Sequence, residues 1–217
     1  MSAHPADLID QVLSIAPGSR LDALRRHREV ARENIQKAYL ALFEPTDTSA
    51  VSLFDRLAIA SFVTGLHGQI VLGDHYAHLL AITEGGPGIS AIISAEIERG
   101  ETHGPYGRYP EGPLTSEDKL GPIYSVSLHH QEHLGDKLSA ALVHAHLLVF
   151  RPRDASREAL EALLDAGWTT QGIVTISQLI SYLSFQTRIV EGLSALAASA
   201  EQPVAPFSQA LAAGAHS

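Results

Sequence analysis

The stretch that decides the fold runs from Asp55 to His78 and reads DRLAIASFVTGLHGQIVLGDHYAH. Its apolar residues recur every three or four positions, which is the period of an α-helix, and no part of it alternates as a half-buried strand does. Ser52 precedes Asp55 by three residues, which is the spacing of an N-terminal capping box with the shorter acid. The pattern therefore predicts one long helix, from about residue 53 to about residue 83, that stops before Gly85-Gly86-Pro87.

The remaining segments also show the helical period, so we predict an all-α protein. The 217 residues are enough for a single domain with a sizeable core. Gly and Pro are dense at 100–115, which predicts a long loop between a helical half at 1–99 and a second helical half at 116–198. The second half should open with a helix that is broken near Pro122 or Gly135, and an Ala-rich tail should follow its last helix.

Composition narrows the classes of partner. Hydrophobic residues make up 45% of the chain, charged residues make up 18%, and the formal net charge is −9. We do not expect nucleic acid or an anionic membrane as a partner, because both attract basic surfaces. The two most apolar stretches, 57–72 and 173–185, are interrupted by polar residues, so neither is predicted to span a membrane. The start shows no secretory signal and the chain has no cysteine, which together favour a cytoplasmic location.

Polar side chains within the apolar stretch form the first candidate site. A buried polar group is costly unless it is paired, so such residues mark either a hydrogen-bond network or a functional site. His75 and His78 are three residues apart and Asp74 and His78 are four apart, so all three can meet on one side of a helix. His67 lies two turns earlier, near the same side. A carboxylate beside a histidine can fix its tautomer and raise its basicity, as a general base requires.

Three other interpretations of these residues stay open. The group can be a polar helix face at a subunit interface, a set of core histidines with satisfied partners, or a metal site. The last long helix carries embedded polar residues as well, at Gln178, Gln186 and Arg188. The charge of Arg188 predicts either an ion pair, for example with Glu191, Asp165 or an acid from the first half, or a carboxylate-binding role in a pocket between the halves.

A second group of histidines comprises His129, His130 and His133. His129 and His133 are four residues apart, a spacing that can present two ligands to one metal ion. The third ligand would have to come from elsewhere, so solvated helix surface or the wall of a site are the alternatives. His144 and His146 are two residues apart and should face nearly opposite ways on a helix.

Two segments resemble the carboxymuconolactone decarboxylase and alkyl hydroperoxidase D (AhpD-like) superfamily. Residues 162–174, ALLDAGWTTQGIV, and 178–193, QLISYLSFQTRIVEGL, are similar to its C-terminal part, in which a turn after Ala-Gly leads into a long helix. The stretch 55–78 is similar to its signature helix, and the resemblance covers roughly residues 50–197. It implies an AhpD-like helical bundle of two similar halves and a homo-oligomer, either a dimer or a trimer-based hexamer.

The chain departs from the peroxidase branch of that superfamily at the reactive residues. That branch carries Cys-x-x-Cys-x-x-x-His, with one thiolate attacking the peroxide. Here Gln69 and Leu72 stand at the cysteine positions, or Gly68 and Val71 with a shift of one residue. We therefore expect no thiol peroxidase activity. The decarboxylase branch handles a lactone acid by proton transfer without a cysteine nucleophile, which leaves acid–base chemistry open to this chain.

The expected function is that of a cysteine-less member of this superfamily, with His/Asp acid–base chemistry on a small carboxylate or lactone-like substrate. The alternatives are a non-catalytic member that binds a ligand or a partner protein, and a metal-dependent enzyme built on the histidine groups. We expect neither a cofactor nor a metal. The expected catalytic residues are His75, His78, Asp74 and His67, and the expected ligand-binding residues are Gln69, Arg188 and Gln186.

Overall fold

The computed structural model describes residues 7–199, and within this range the chain consists of α-helices joined by loops, two short 3₁₀ turns and one isolated β-bridge. The predicted all-α class is confirmed, and the Ala-rich tail lies outside the described residues. No described helix combines the length and the apolar character that a membrane crossing demands. The helices are α1 (Leu8–Val12), α2 (Arg20–His27), α3 (Glu29–Phe43), α4 (Leu53–Leu66), α5 (Ile70–Ile82), α6 (Gly86–Gly100), α7 (Leu128–Phe150), α8 (Arg157–Asp165) and α9 (Thr170–Ser199).

Helix α4 is the centre of the fold, because it packs against α5, α6, α7 and α9. It is apolar on nearly every side, and the side chains from Leu57 to Val63 are all buried. Helix α6 comes close to it at Gly65, where an added Cβ would lie 2.5 Å from Cδ1 of Ile97. A polar group that faces α4 must therefore find its partner inside the protein.

The predicted long helix at 53–83 is wrong, because the chain turns between α4 and α5. Helix α4 ends at Leu66, and Gly68 adopts φ 64°, a left-handed conformation that glycine adopts without strain. Gln69 then starts α5, since its side-chain oxygen accepts a hydrogen bond of 2.9 Å from the backbone N–H of Leu72. The apolar period continues across the turn because both helices bury one side in the same core. His67 and His75 consequently lie on different helices.

The loop between α6 and α7 is longer than predicted. Helix α6 ends at Gly100 and α7 begins at Leu128, so the helix expected from about residue 115 is only a 3₁₀ turn at Pro113–Glu117. Pro122 lies in this segment and has no N–H to donate to a helix. Helix α7 is kinked at Gly135, with φ 74° and ψ 166°, which confirms one of the two predicted break positions.

Candidate functional site

The predicted cluster on α5 is not enclosed in the single chain. Asp74 and His78 are exposed, whereas His75 is half-buried and its ring packs edge-on against Tyr76 at a centroid distance of 5.0 Å. Burial, together with the nearby His78, lowers the pKa of His75. Its Nε2 atom is buried without a hydrogen-bond partner. Three surface clefts of about 1070, 430 and 360 Å³ open on the described part of the chain, and none of them is lined by these residues.

His67 and Arg188 meet at a different place. Nε2 of His67, at the end of α4, lies 3.1 Å from Oγ of Ser184 on α9. Arg188 is exposed, and its Nη1 donates a 3.0 Å hydrogen bond to the carbonyl oxygen of the same Ser184. Burial lowers the pKa of His67, and the charge of Arg188 adds to this effect. The ion pair considered for Arg188 with Glu191 or Asp165 is not formed within the described residues.

Gln186 and Gln69 both have structural partners. Gln186 is fully buried on α9, where its Oε1 accepts a 2.8 Å hydrogen bond from the Tyr76 hydroxyl and its Nε2 donates to the Tyr182 hydroxyl at 3.3 Å. The Tyr182 hydroxyl in turn donates to the carbonyl oxygen of Ile35 on α3. Burial raises the pKa of Tyr76 well above its usual value, so this hydroxyl stays a donor. The chain of bonds ties α5, α9 and α3 together within the core, and Gln69 serves as the cap of α5.

The structure instead assembles a polar cluster around Glu96 of α6, which is fully buried. Its carboxylate accepts a hydrogen bond from the Tyr124 hydroxyl at 2.6 Å and another from the backbone N–H of Ser127 at 3.2 Å. Nδ1 of His130 lies 2.5 Å from Oε1, and Nε of Arg99 lies 3.3 Å from the same atom. Four donor groups thus converge on one carboxylate. Tyr124 and Ser127 lie in the segment before α7, His130 lies in the first turn of α7, and Arg99 lies on α6 itself.

The ionisation of the cluster follows from these contacts. Burial raises the pKa of Glu96, but the hydrogen bonds from Tyr124, His130 and Ser127, aided by Arg99, outweigh it, and the pKa lies below its usual value of 4.5. Burial and the adjacent carboxylate both raise the pKa of Tyr124, so its hydroxyl keeps its proton and donates. A carboxylate at 2.5 Å from Nδ1 of His130 assigns the proton to Nδ1 and leaves the lone pair on Nε2.

His130 is placed where a base can reach a substrate. Its side chain is 20% exposed, and its Nε2 has no hydrogen-bond partner among the described residues. Ser127 caps α7 by accepting a 3.2 Å hydrogen bond from the backbone N–H of His130. This bond fixes the backbone of His130, while Glu96 fixes its ring. A histidine that is oriented by a buried carboxylate and open at the other nitrogen has the geometry of a general base.

The ring of Tyr124 is held by the core on both sides. It stacks on His146 with a centroid distance of 4.7 Å and an interplanar angle of 17°, and it lies 5.6 Å from the ring of Phe62 on α4. Nε2 of His146 lies 3.0 Å from the carbonyl oxygen of Gly100, and burial lowers the pKa of this histidine despite that hydrogen bond. His146 is therefore neutral near pH 7 and donates from Nε2. The orientation of Tyr124, and with it that of Glu96, depends on core packing.

The exposed histidines of α7 form the rim of this cluster. The ring of His129 lies 5.8 Å from that of His130 and 5.2 Å from that of His133, and its Nδ1 is 4.0 Å from a carboxylate oxygen of Glu132. Within residues 7–199, no group of three or more His, Cys, Asp or Glu side chains is arranged to hold a metal ion.

Glu96 could have been found from the sequence by its place in α6. The apolar stripe of this helix runs through Ile89 and Ile93, and Glu96 continues it at the same helical spacing. A carboxylate on an apolar stripe must be paired if the stripe is buried. Its partners Tyr124 and His130 could not be found in this way, because an irregular segment brings them back to α6.

Neither a scan against known protein-family models nor a search of curated proteins returns a match for this chain. The function must therefore be argued from the geometry of the site.

Proposed function

We propose that the protein is a cysteine-independent acid–base enzyme that acts on a small carboxylate or lactone-like acid. We further propose that it is an AhpD-like bundle of two similar helical halves, related to the carboxymuconolactone decarboxylases. The observation that carries the proposal is the buried Glu96 carboxylate, which orients the partly exposed ring of His130. In this proposal His130 takes the role of base that the sequence predicted for the α5 cluster, because Asp74 and His78 are exposed.

Arg99 supplies the positive charge that a carboxylate substrate requires. Its Nε lies 3.3 Å from the Glu96 oxygen that Nδ1 of His130 also contacts, and its side chain is 49% exposed. In this proposal its two outer guanidinium nitrogens lie on the exposed side of the cluster. These nitrogens have no hydrogen-bond partner among the described residues. A guanidinium binds a carboxylate through two parallel hydrogen bonds, which would fix the substrate relative to the imidazole.

The chemistry needs one proton carrier. When a carboxylate beta to a carbonyl group is lost as carbon dioxide, the electron pair of the broken C–C bond passes to the carbonyl oxygen and gives an enolate. His130, once its Nε2 has taken up a proton from water, delivers that proton to the enolate carbon and returns to its neutral form. Neutral His130 can instead remove a proton from a carbon next to a carbonyl group and return it elsewhere, which is an isomerisation. Histidine suits both roles because it changes charge near neutral pH.

The test is proton transfer to and from lactone acids. The purified protein is incubated in heavy water with muconolactone-type acids, with and without a second carboxylate, and NMR follows deuterium incorporation and carbon dioxide release. We expect His130→Gln to reduce the rate by at least about 100-fold. The matched control is His129→Gln, which removes a 76% exposed imidazole from the same helix turn and should leave the rate unchanged. Full activity in a folded His130→Gln variant would refute the assignment.

A second candidate function is binding without catalysis. It is favoured by the fact that Glu96 and Tyr124 also anchor the 101–127 segment between α6 and α7, a role that needs no substrate. If none of the lactone acids exchanges deuterium or releases carbon dioxide in the presence of the protein, this second function replaces the first. In either case we expect no thiol-dependent peroxidase turnover, because the chain has no cysteine.

Exposed apolar side chains support the proposal of a homo-oligomer. Ile70 and Ile82 at the two ends of α5 are 75% and 67% exposed, and Val174 and Phe185 on α9 are 51% and 49% exposed. Single exposed apolar side chains are common on protein surfaces, but these four would become buried if α5 and α9 contacted a second copy of the chain. We propose a dimer first and a trimer-based hexamer second. A species of 23.2 kDa in light scattering at micromolar concentration would contradict both.

A further inference from the structure

A cleft of about 360 Å³ lies between α7 and α8. It is lined by residues of α7 on both sides of the kink, by α8, and by Ser125 and Val126 just before α7. Its floor is apolar, with the buried side chains of Val126 and Leu163 and the partly buried Leu147 among the residues that line it. The volume is within the range of clefts that bind small molecules in proteins. The cleft shares no lining residue with the Glu96 cluster, so the inference stands whether or not His130 is a catalytic base.

Two polar atoms of the lining have no partner. His144 is 5% exposed and its Nε2 lies 3.1 Å from Oγ of Ser177, whereas its Nδ1 is buried without a hydrogen bond. Ser139 is also 5% exposed, and its Oγ is likewise buried without a partner. Both side chains line the cleft. Nearly all buried polar atoms in folded proteins are paired, so two unpaired atoms beside one cleft mark it as the place to look for a ligand or a bound water molecule.

The kink of α7 explains why Ser139 is free. Helical serines and threonines usually donate to the carbonyl oxygen four residues earlier, as Thr64 does to Ala60 and Ser90 does to Gly86 in this protein. For Ser139 that carbonyl belongs to Gly135, whose φ of 74° and ψ of 166° turn it out of the helix. The kink thus removes the internal partner and leaves the hydroxyl for a ligand.

The charges of the lining define the class of ligand. The only charged residue that lines the cleft is Asp136, whose carboxylate accepts a 2.8 Å hydrogen bond from Gln131, and no cation lines it. An anion is therefore disfavoured. Burial lowers the pKa of His144, so its ring is neutral near pH 7, and Nδ1 is either a donor or an acceptor according to the tautomer that Ser177 selects. A hydroxyl group can donate and accept, so it fits either tautomer.

We propose that this cleft binds a small neutral amphipathic molecule, such as an alcohol or a phenol, whose hydroxyl group pairs with Nδ1 of His144. The apolar part of the ligand lies over Leu147 and Leu163 and excludes water from them. Oγ of Ser139, a residue that also lines the cleft, offers a second anchor.

The test compares benzyl alcohol with benzoate, which has a similar ring and size but a negative charge. Methyl NMR on the full chain follows the alanine methyl groups that line the cleft, at Ala140, Ala159, Ala162 and Ala166. We expect saturable shifts of these methyl groups with benzyl alcohol and much weaker binding of benzoate. Binding of benzoate that equals that of benzyl alcohol would refute the charge argument. If benzyl alcohol causes no saturable shifts, the site is refuted. Nδ1 of His144 is then paired with water alone.

Two variants locate the binding. His144→Phe keeps an aromatic ring but removes Nδ1, together with the Nε2 contact to Ser177. We expect it to weaken binding of benzyl alcohol about tenfold, the loss of one hydrogen bond to the ligand. Ala162→Leu fills the cleft from its exposed edge and should abolish binding without disturbing the core. The matched controls are His78→Phe and Ala77→Leu, both at exposed positions of α5. Undiminished binding in folded Ala162→Leu would overturn the proposal even if His144→Phe fails to fold.

Discussion

The polar residues of α5 and those around Glu96 differ in how the protein covers them. Asp74 and His78 share one side of α5 and extend into solvent, while Glu96 has no exposed surface and four donors around its carboxylate. Helical spacing decides which side chains lie on one face, but packing decides whether that face is covered. Only a buried carboxylate requires hydrogen-bond donors from the protein, and one of these hydrogen bonds fixes the ring of His130.

The two regions should therefore respond differently to the loss of their carboxylate. Glu96→Ala leaves the Tyr124 hydroxyl and the Ser127 N–H inside the protein without an acceptor, and we expect it to lower the free energy of unfolding by about 3 kcal/mol. Asp74→Ala removes an exposed group and should change it by less than about 0.5 kcal/mol. Urea denaturation measures both values. Equal effects of the two substitutions would show that the Glu96 cluster contributes no more to stability than a surface residue.

The dependence of stability on pH gives a second contrast. The pKa of Glu96 is lowered in the folded protein, so its contribution is present above its usual value of 4.5 and is lost as the pH falls through the folded-state pKa. Burial lowers the pKa of His144 and His146 below their usual 6.5, so the unfolded state takes up protons first and stability falls as the pH drops below 6.5. Both effects have the same sign.

We accordingly expect the free energy of unfolding to fall steadily from pH 7 to pH 4, as measured by urea titrations at a series of pH values. Glu96→Gln should flatten the part of the curve below 4.5, the usual pKa of this carboxyl, because no carboxylate remains to protonate. Asp74→Asn should leave the whole profile unchanged. A flat profile for the unaltered protein would contradict the assignment of neutral buried histidines.

The two regions should also differ, by a smaller amount, in the energetic coupling between neighbouring residues. Tyr124→Phe removes one of the four donors to Glu96 and should lower the free energy of unfolding by about 1 kcal/mol. In a double-mutant cycle with Glu96→Gln we expect a coupling of about 0.5–3 kcal/mol, because the two groups share a hydrogen bond. The cycle that combines Asp74→Asn with His78→Ala should give a coupling near zero. Similar couplings in both cycles would mean that exposure does not separate the two regions.

The sequence predicted the class of fold and several local features because these depend on neighbouring residues. The helical period, the serine cap at Ser52 and the break at Gly135 all rest on interactions within a few residues, and all are present. The turn at Gly68 was missed because the apolar period does not change when a chain folds back into the same core. A glycine followed by a capping glutamine was the local signal for it.

The candidate site was less predictable than the fold. The polar residues of α5 stand out in the sequence because they lie within an apolar helix, yet this pattern cannot distinguish the buried face of the helix from its exposed one. Tyr124 and His130 lie 28 and 34 residues after Glu96 in the sequence, and they meet it only because the irregular 101–127 segment brings them back to α6. No spacing rule covers such a segment, because its path is set by where Tyr124 fits in the core.

The smallest expected effect concerns His75, which is intermediate between the two regions in burial and in hydrogen bonding. It is half-buried like a core residue, but its buried Nε2 has no partner, unlike the atoms around Glu96. Replacing an unpaired polar ring with an apolar ring of similar shape removes a desolvation penalty, so His75→Phe should raise the free energy of unfolding by up to about 1 kcal/mol at pH 7. The gain should be larger at pH 5, because the lowered pKa of His75 makes the original residue destabilising below 6.5.

His78→Phe, at an exposed position of the same helix, is the control and should change stability by less than about 0.5 kcal/mol. Urea denaturation at the two pH values, with light scattering on each variant, makes the measurement. If light scattering shows the proposed oligomer, a loss of stability in His75→Phe that is accompanied by dissociation would instead show that Nε2 finds its partner on a second copy of the chain.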